Sequence, residues 1–300
     1  MATGLSQFKA KSSFLTHIRS PPPVKACHRA AVVAMDKNQS YWATIEADIE
    51  AYLKKAITIR PPVTVFEPMH HLTFAAPRTK APALCIAACE LMGGDRDQAI
   101  AAASAVHLMH AAYYAHEHLP ITGRPSHKPK IQHKFEPSIE LLTGDGMVPF
   151  GLELLSRSMD LAKNNNPDKI LRVIIEITRL TGSEGMVDGL YRELQLNGSN
   201  IDMGIIEYVC KKKEGELHAC GAACGAILGG GAEDEIENLR KYGLYVGMIQ
   251  GMQNGVGKNN KGMEEKIEKL KILALKELQS LKGKMIEPIS SMVEPSLVVV

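Results

Sequence analysis

Six of the chain's 11 histidines, His107, His110, His116, His118, His127 and His133, stand between residues 107 and 133. From Asp97 to Glu136 the only acid among them is Glu117. Imidazoles beside a carboxylate are a donor set for a transition-metal site, with His116 and Glu117 as the first ligands. His116 and His118 are two positions apart, however, and leave a helix on different sides. That spacing favours separate core and polar histidines over one shared ion. The cysteines form a second set, with Cys85 and Cys89 in CIAAC and Cys220 and Cys224 in CGAAC. Spacing of i, i+4 puts both sulfurs of a pair on one helix face. Two such pairs carry the donors of a four-thiolate zinc site. Consecutive turns do not offer disulfide geometry within one helix. Cysteine also serves as a small apolar residue that lets a neighbouring helix close in, and packing is the preferred reading. Lys211, Lys212 and Lys213 read as a solvated helix end that complements the macrodipole. The sequence has no Walker loop, no HExxH and no GxSxG.

These residues sit on helices. The segment QAIAAASAVHLMHAAYYAHEH is Ala-rich and apolar on every side, which predicts a buried central helix ending in the His116–Glu117–His118 cluster. Before it, PALCIAACELMGG stops at Gly93-Gly94 and Asp95 starts the central helix. A first helix is predicted from a Ser40 cap, with Ile45, Ile49, Tyr52, Leu53 and Ala56 on one face and Pro61-Pro62 at its end. The piece from 62 to 82 is broken by Pro68, Pro77 and Pro82. Further helices are expected near 138–163, 168–180, 184–195, 202–212, 215–229, 233–256 and 262–282. Turn-forming residues separate them, Asn164–Pro167, Gly182, Asn197-Gly198, Gly229–Gly231 and Gly257–Asn260 among others. The last shows the clearest stripe, Ile267, Leu270, Ala274, Leu278 and Leu281. Glycine recurs at 243, 247, 251 and 255, a bare ridge that implies a very close helix neighbour or a locally weakened helix. No acid stands from Asn238 to Met263.

With 45% apolar residues, 5% aromatic residues and almost no alternating β-branched runs, the chain reads as all-α, a single-domain bundle of about ten helices. Residues 1–35 are set apart. They hold Lys9, Lys11, Arg19, Lys25 and Arg29, are rich in Ser and Thr, and contain no acid. That composition is expected of an organelle transit peptide. Removing its five basic residues turns the formal net charge from +2 to −3, which gives no reason to expect a nucleic-acid partner. Residues 36–285 are the expected domain and 286–300 an extended or disordered tail. Six cysteines do not make a disulfide scaffold at this length, and no segment reaches the apolar length of a membrane span.

ALCIAACELMGGD, HEHLPITGRPSHK, IELLTGDGMVPFG, EYVCKKKEGELHACGAACGAILGGG and LRKYGLYVGMIQGM carry a resemblance. From about Tyr41 to Met285 the chain resembles the plastid trans-isoprenyl diphosphate synthases, and among them the small subunits of heteromeric synthases. The resemblance implies the isoprenoid-synthase helical bundle. Active members hold Mg²⁺ with two aspartate-rich motifs, DDxxxxD and DDxxD, because ionising an allylic diphosphate releases a highly charged pyrophosphate. Here the first pair falls on Glu117-His118. The second motif falls on Gln250, Gly251, Met252, Gln253 and Asn254, with no acid. The basic GGKRxRP-type segment becomes Ala76–Pro82, and the later KT pair becomes Lys213-Glu214. The resemblance therefore implies a chain without catalysis or bound cofactor of its own. It implies a catalytic geranylgeranyl diphosphate synthase large subunit as partner, Mg²⁺ held there, and Cys85, Cys89, Cys220 and Cys224 serving subunit association. The expected role is to shift the partner's product to the ten-carbon diphosphate for monoterpenes. A second type of small subunit that raises the twenty-carbon product, and a weak prenyltransferase using Glu117 and the histidines, are the alternatives.

Overall fold

The computed structural model describes residues 24–119, 132–160, 167–196, 202–255, 262–281 and 284–293. The chain divides into two compact units, Met1–Gln39 and Ser40–Val300, and the second holds the core and the candidate site. Residues 1–23 of the leader, His127 and the breaks at 164–166, 197–198 and 257–260 lie outside the described residues. The helices are α1 Val24–Ala56, α2 Val63–Ala75, α3 Ala81–Leu91, α4 Arg96–His118, α5 Pro137–Arg157, α6 Pro167–Thr181, α7 Met186–Leu194, α8 Met203–Cys210, α9 Glu216–Gly229, α10 Glu233–Asn254, α11 Met263–Gln279 and α12 Glu287–Ser290. A π-helical turn, Lys211–Gly215, joins α8 to α9. No strand occurs among the described residues.

The centre is built from small residues. Helix α4 buries Ala99, Ala101–103, Ala105, Val106, Leu108, Met109, Ala111 and Ala112, so neighbours approach it from all sides. Its start is fixed by a capping box, in which the Asp95 backbone N–H donates to Gln98 Oε1 at 2.7 Å. Helices α3 and α9 are also buried along their length. They meet backbone to backbone, because Gly221, Gly225 and Gly229 recur every fourth position on α9. A Cβ at those sites would lie 2.4 Å from the Ala81 carbonyl oxygen, 1.9 Å from that of Cys85 and 2.5 Å from that of Cys89. The ridge on α10 has the same purpose. A Cβ on Gly243 would stand 2.5 Å from the His218 oxygen, and one on Gly247 2.1 Å from the Glu214 oxygen. Of the two meanings its spacing allowed, the close neighbour is what the fold shows.

Several boundaries differ from the sequence reading, among them the end of α5 at Arg157 rather than 163. Helix α1 begins at Val24, and Ser40 lies inside it as the acceptor for Thr44 Oγ1 rather than as a cap. The expected break at Pro68 is absent: α2 continues through it, with Pro68 buried. The segment after residue 286 is not all extended, because α12 is anchored to the body. Buried Tyr242 donates its hydroxyl to the Ile289 carbonyl, Trp42 Nε1 donates to Ser291 Oγ at 3.3 Å, and Ile289 and Val293 are buried. The α11 stripe is buried as its period predicts.

Candidate functional site

A cavity of about 370 Å³ lies where α4, α7, α8, α10 and the π turn meet the α2–α3 connection. Tyr114, Glu193, Ile206, Val209, Cys210, Lys213 and Glu214 line it, with Pro77, Arg78 and Thr79 at one edge. Gln250, Gly251 and Asn254, which the resemblance sets at the second aspartate-rich motif, line the same space. Glu117, which it sets at the first, reaches the cavity through Lys213, whose Nζ donates to Glu117 Oε1 at 2.9 Å. The fold thus brings these residues to one cavity.

Lys213 is the residue the sequence reading misplaced. It is not at a solvated helix end: it is 5% exposed, and its ammonium also donates to Glu193 Oε2. The π turn is the physical reason, since one extra residue per turn alters which side chains face inward. Lys212 keeps the more ordinary role, donating to the Glu184 carbonyl and pairing with Glu216 at 2.8 Å.

Divalent magnesium is held in near-octahedral geometry by one or two carboxylates together with waters and substrate phosphates. The residues here do not fit that need. The α10 side contributes two amides and a glycine, and the space between Glu117 and Glu193 holds an ammonium group. Among the described residues no three His, Cys, Asp or Glu side chains gather into a metal-binding group. The basic segment is likewise engaged, with Arg78 paired to Glu46 at 3.3 Å and Glu50 at 2.6 Å, and Lys80 to Glu46 at 3.0 Å.

The described histidines between 107 and 133 are spent on separate structural bonds. His107 pairs with the Thr73 carbonyl at 2.9 Å, His110 with that of Pro77 at 3.0 Å, and His116 with that of Leu141 at 3.2 Å. His118 is buried, stacks on Tyr114 at 4.1 Å and pairs with its carbonyl at 2.7 Å, while His133 meets Glu140 at 2.5 Å. Behind the cavity, His218 is fully buried, with Nδ1 donating to the Glu214 carbonyl at 2.7 Å. Burial pushes the pKa of both His218 and His107 below the ordinary histidine value of 6.5. The unfolded chain therefore binds protons on these rings at a higher pH than the folded one. Their neutral forms support the fold above pH 6.5, and that support is lost as pH falls below it. Thermal melts at stepped pH should show Tm falling below pH 6.5, and His218→Gln should flatten the slope. A slope unchanged by H218Q contradicts the assignment.

Cys85, Cys89, Cys220 and Cys224 are all buried within this one chain, along the α3–α9 contact. Cys220 and Cys224 hold their sulfurs 3.8 Å apart. Burial pushes the Cys89 thiol up to about 12 and the Cys85 thiol well above its usual range. The hydrogen bond with Cys220, then burial, raises that of Cys224. Such thiols stay protonated at neutral pH and are poor nucleophiles and metal ligands. Sequence reasoning missed Glu193, because nothing in the α7 sequence marks it as the second partner of a lysine 20 residues later.

No protein-family model matches the sequence. The chain is 51% identical over 262 residues to the chloroplastic small subunit 2 of heterodimeric geranylgeranyl pyrophosphate synthase from Cannabis sativa, covering 85% of this chain and 91% of that one. It is similar to the crystal structure of the geranyl diphosphate synthase small subunit from Antirrhinum majus, with 66% identity and a TM-score of 0.79, covering 85% of this chain and 98% of that one. It also matches a chain in a ligand complex of a mint heterotetrameric geranyl pyrophosphate synthase deletion mutant. There the identity is 60% and the TM-score 0.77, covering 85% of this chain and all of that one.

Proposed function

The chain belongs to the family of small subunits of heteromeric plastid prenyl diphosphate synthases, and we propose that it is a non-catalytic regulatory subunit. In this reading it binds a catalytic geranylgeranyl diphosphate synthase large subunit and turns its output towards geranyl diphosphate. The observation that carries the loss of catalysis is the cavity itself. Both motif positions converge on it, yet Lys213 holds Glu117 and Glu193 and the α10 face has no carboxylate. Mg²⁺ and the prenyl transfer it supports belong to the partner.

Association is supported by apolar surface that the single chain leaves open. Leu142 on α5 and Leu171 and Ile175 on α6 are 66%, 57% and 46% exposed. Leu171 and Ile175, four positions apart, share one face of α6, and contiguous exposed apolar surface marks interaction sites. The four cysteines enter this reading indirectly. They are buried inside the chain, so we place their influence on association in the α3–α9 contact whose shape they set. The proposed assignment of residues 1–35 as a plastid leader agrees with the chloroplastic name of the 51% identical relative.

The test combines the chain without its leader with a plastid geranylgeranyl diphosphate synthase. Complex formation is read by size exclusion and product length by chromatography. A stable complex with product moved from twenty to ten carbons is expected. The higher identity to chains of two geranyl diphosphate synthase structures, 66% and 60%, favours that outcome. The 51% identity to a subunit named for the twenty-carbon synthase supports the second reading. Unchanged or faster twenty-carbon output from the complex would select that reading, and failure to form any complex would overturn both.

A further inference from the structure

We propose that Tyr41 and Trp42 are the anchor at which the folded body begins, that the C-terminal segment Ile289–Val293 clasps them, and that this clasp limits how far the leader can be removed. Tyr41 is held on the side of α3 and α4. Its hydroxyl donates to Glu90 Oε2 at 2.6 Å. Arg96 donates to the other oxygen of that carboxylate at 2.9 Å and to Asp48 Oδ2 at 2.6 Å, with its guanidinium 5.9 Å from the Tyr41 ring centroid. Helix α1 is thus tied to the end of α3 and the first residue of α4. Trp42 is buried and held from the C-terminal side. A buried indole N–H needs an acceptor, and a residue 249 positions later supplies it. Trp42 Nε1 donates to Ser291 Oγ at 3.3 Å, and Ser291 Oγ donates to the Pro288 carbonyl at 2.6 Å.

The clasping segment is itself fixed to the body. Ile289 and Val293 stand four positions apart, the spacing of one helical face, and both are buried. Backbone bonds from the Met292 and Val293 N–H groups to the Ile289 and Ser290 carbonyls carry the turn of α12 on to Val293. Tyr242 of α10 donates its hydroxyl to the Ile289 carbonyl, and Lys284 pairs with Glu235 at 2.9 Å just before the segment. Removing residues 1–39 touches none of these contacts, whereas removing Tyr41 and Trp42 breaks both sides of the clasp. The limit on removal rests on the reading of residues 1–35 as a leader; the clasp does not. It is a property of this chain alone, so its test can fail while the partner reading stands.

Trp42 is the chain's single tryptophan, so its fluorescence reports on the clasp directly. Emission spectra, acrylamide quenching and thermal melts compare the full chain, a chain starting at Ser40 and the full-length Ile289→Ala variant. A chain starting at Ala43 is compared by melting alone. The Ser40 chain is expected to match the full chain in emission and Tm. The Ala43 chain is expected to melt about 6–20 °C lower, the scale of losing a large buried aromatic side chain. I289A is expected to melt about 4–20 °C lower, with Trp42 emission moved to the red and quenched more readily. A Ser40 chain that melts lower or changes emission overturns the proposal, as does an Ala43 chain that keeps the native Tm. So does an I289A variant whose Trp42 emission and quenching stay native, because Ile289 would then act through packing without reaching the N-terminal anchor. If the Ala43 chain does not fold, full-length Trp42→Ala decides: a lowered Tm supports the anchor and a native Tm overturns it. If I289A does not fold, full-length Ser291→Ala takes its place, with the same emission shift expected and an unchanged spectrum overturning the clasp.

Discussion

Replacing Gly225 by alanine is expected to lower the melting temperature by roughly 6–12 °C, from an overpacking cost of about 3 kcal/mol. The cause is backbone, not side chain. The new Cβ would stand 1.9 Å from the Cys85 carbonyl oxygen, 2.8 Å from its carbon and 3.0 Å from Ala88 Cβ. No rotamer change relieves that overlap, so α3 and α9 must separate, and their separation opens the contact that holds the four cysteines. Gly146 on α5 is the control, since its nearest neighbour to an added Cβ is Met69 Cε at 4.0 Å. Gly146→Ala should be neutral or stabilising by about 0.5–1 kcal/mol, through lower backbone entropy in the unfolded chain. A G225A melt within a couple of degrees of native would show that the two helices are not in backbone contact. The same melts interpret cysteine variants: Cys85→Ser with Cys89→Ser buries two hydroxyls in the contact, whereas alanine at both keeps it apolar. Loss of partner binding that tracks the loss of Tm would place the cysteines' effect in helix spacing.

The second large effect is chemical. Supplied with dimethylallyl and isopentenyl diphosphates and Mg²⁺, the purified chain is expected to release no detectable prenyl product. Departure of pyrophosphate from an allylic carbon concentrates negative charge on the leaving group, and metal ions supply several kcal/mol of stabilisation to such charge. A deficit of about 6 kcal/mol already slows a reaction roughly 10⁴-fold. The α10 wall offers Gln250, Gly251 and Asn254 where carboxylates are required, and Glu117 is bonded to an ammonium. Restoring aspartates at Glu117 and His118 alone should not help, because His118 is packed on Tyr114 and the opposite wall is still without acid. Mg²⁺-dependent product from the isolated native chain, following a dose response and absent with EDTA, would refute this.

Periodicity made much of the fold legible. The α11 stripe, the buried Ala-rich α4 and the glycines at every fourth position all follow from side-chain size repeated at helical spacing, which is a local property of sequence. The approach of α3 to α9 was foreshadowed by the small residues around both cysteine pairs. Helix ends were less legible. Pro68 signals a break, yet burial of α2 against its neighbours outweighs the lost backbone bond. Hydrophobic Ile289 pulls a short helix out of an otherwise tail-like segment. At the site, sequence placed Glu117, Gln250, Gly251 and Asn254 together only through family resemblance. The Lys213–Glu117 pair spans 96 positions and depends on a π turn, which no periodic pattern announces. Three consecutive lysines look like surface until the turn that separates their directions is known.

Gly251 limits what can be put into the site. At this position, which the resemblance gives to the second motif, a Cβ would meet Cys210 Cβ at 3.2 Å and Glu214 Cβ at 3.3 Å. An acid introduced here would press on the π turn, so Cys210 or Glu214 would have to give by a few tenths of an ångström. It would also enter a cavity in which Lys213 already holds Glu117. One substitution at this wall therefore strains the packing without gathering a set of convergent free carboxylates.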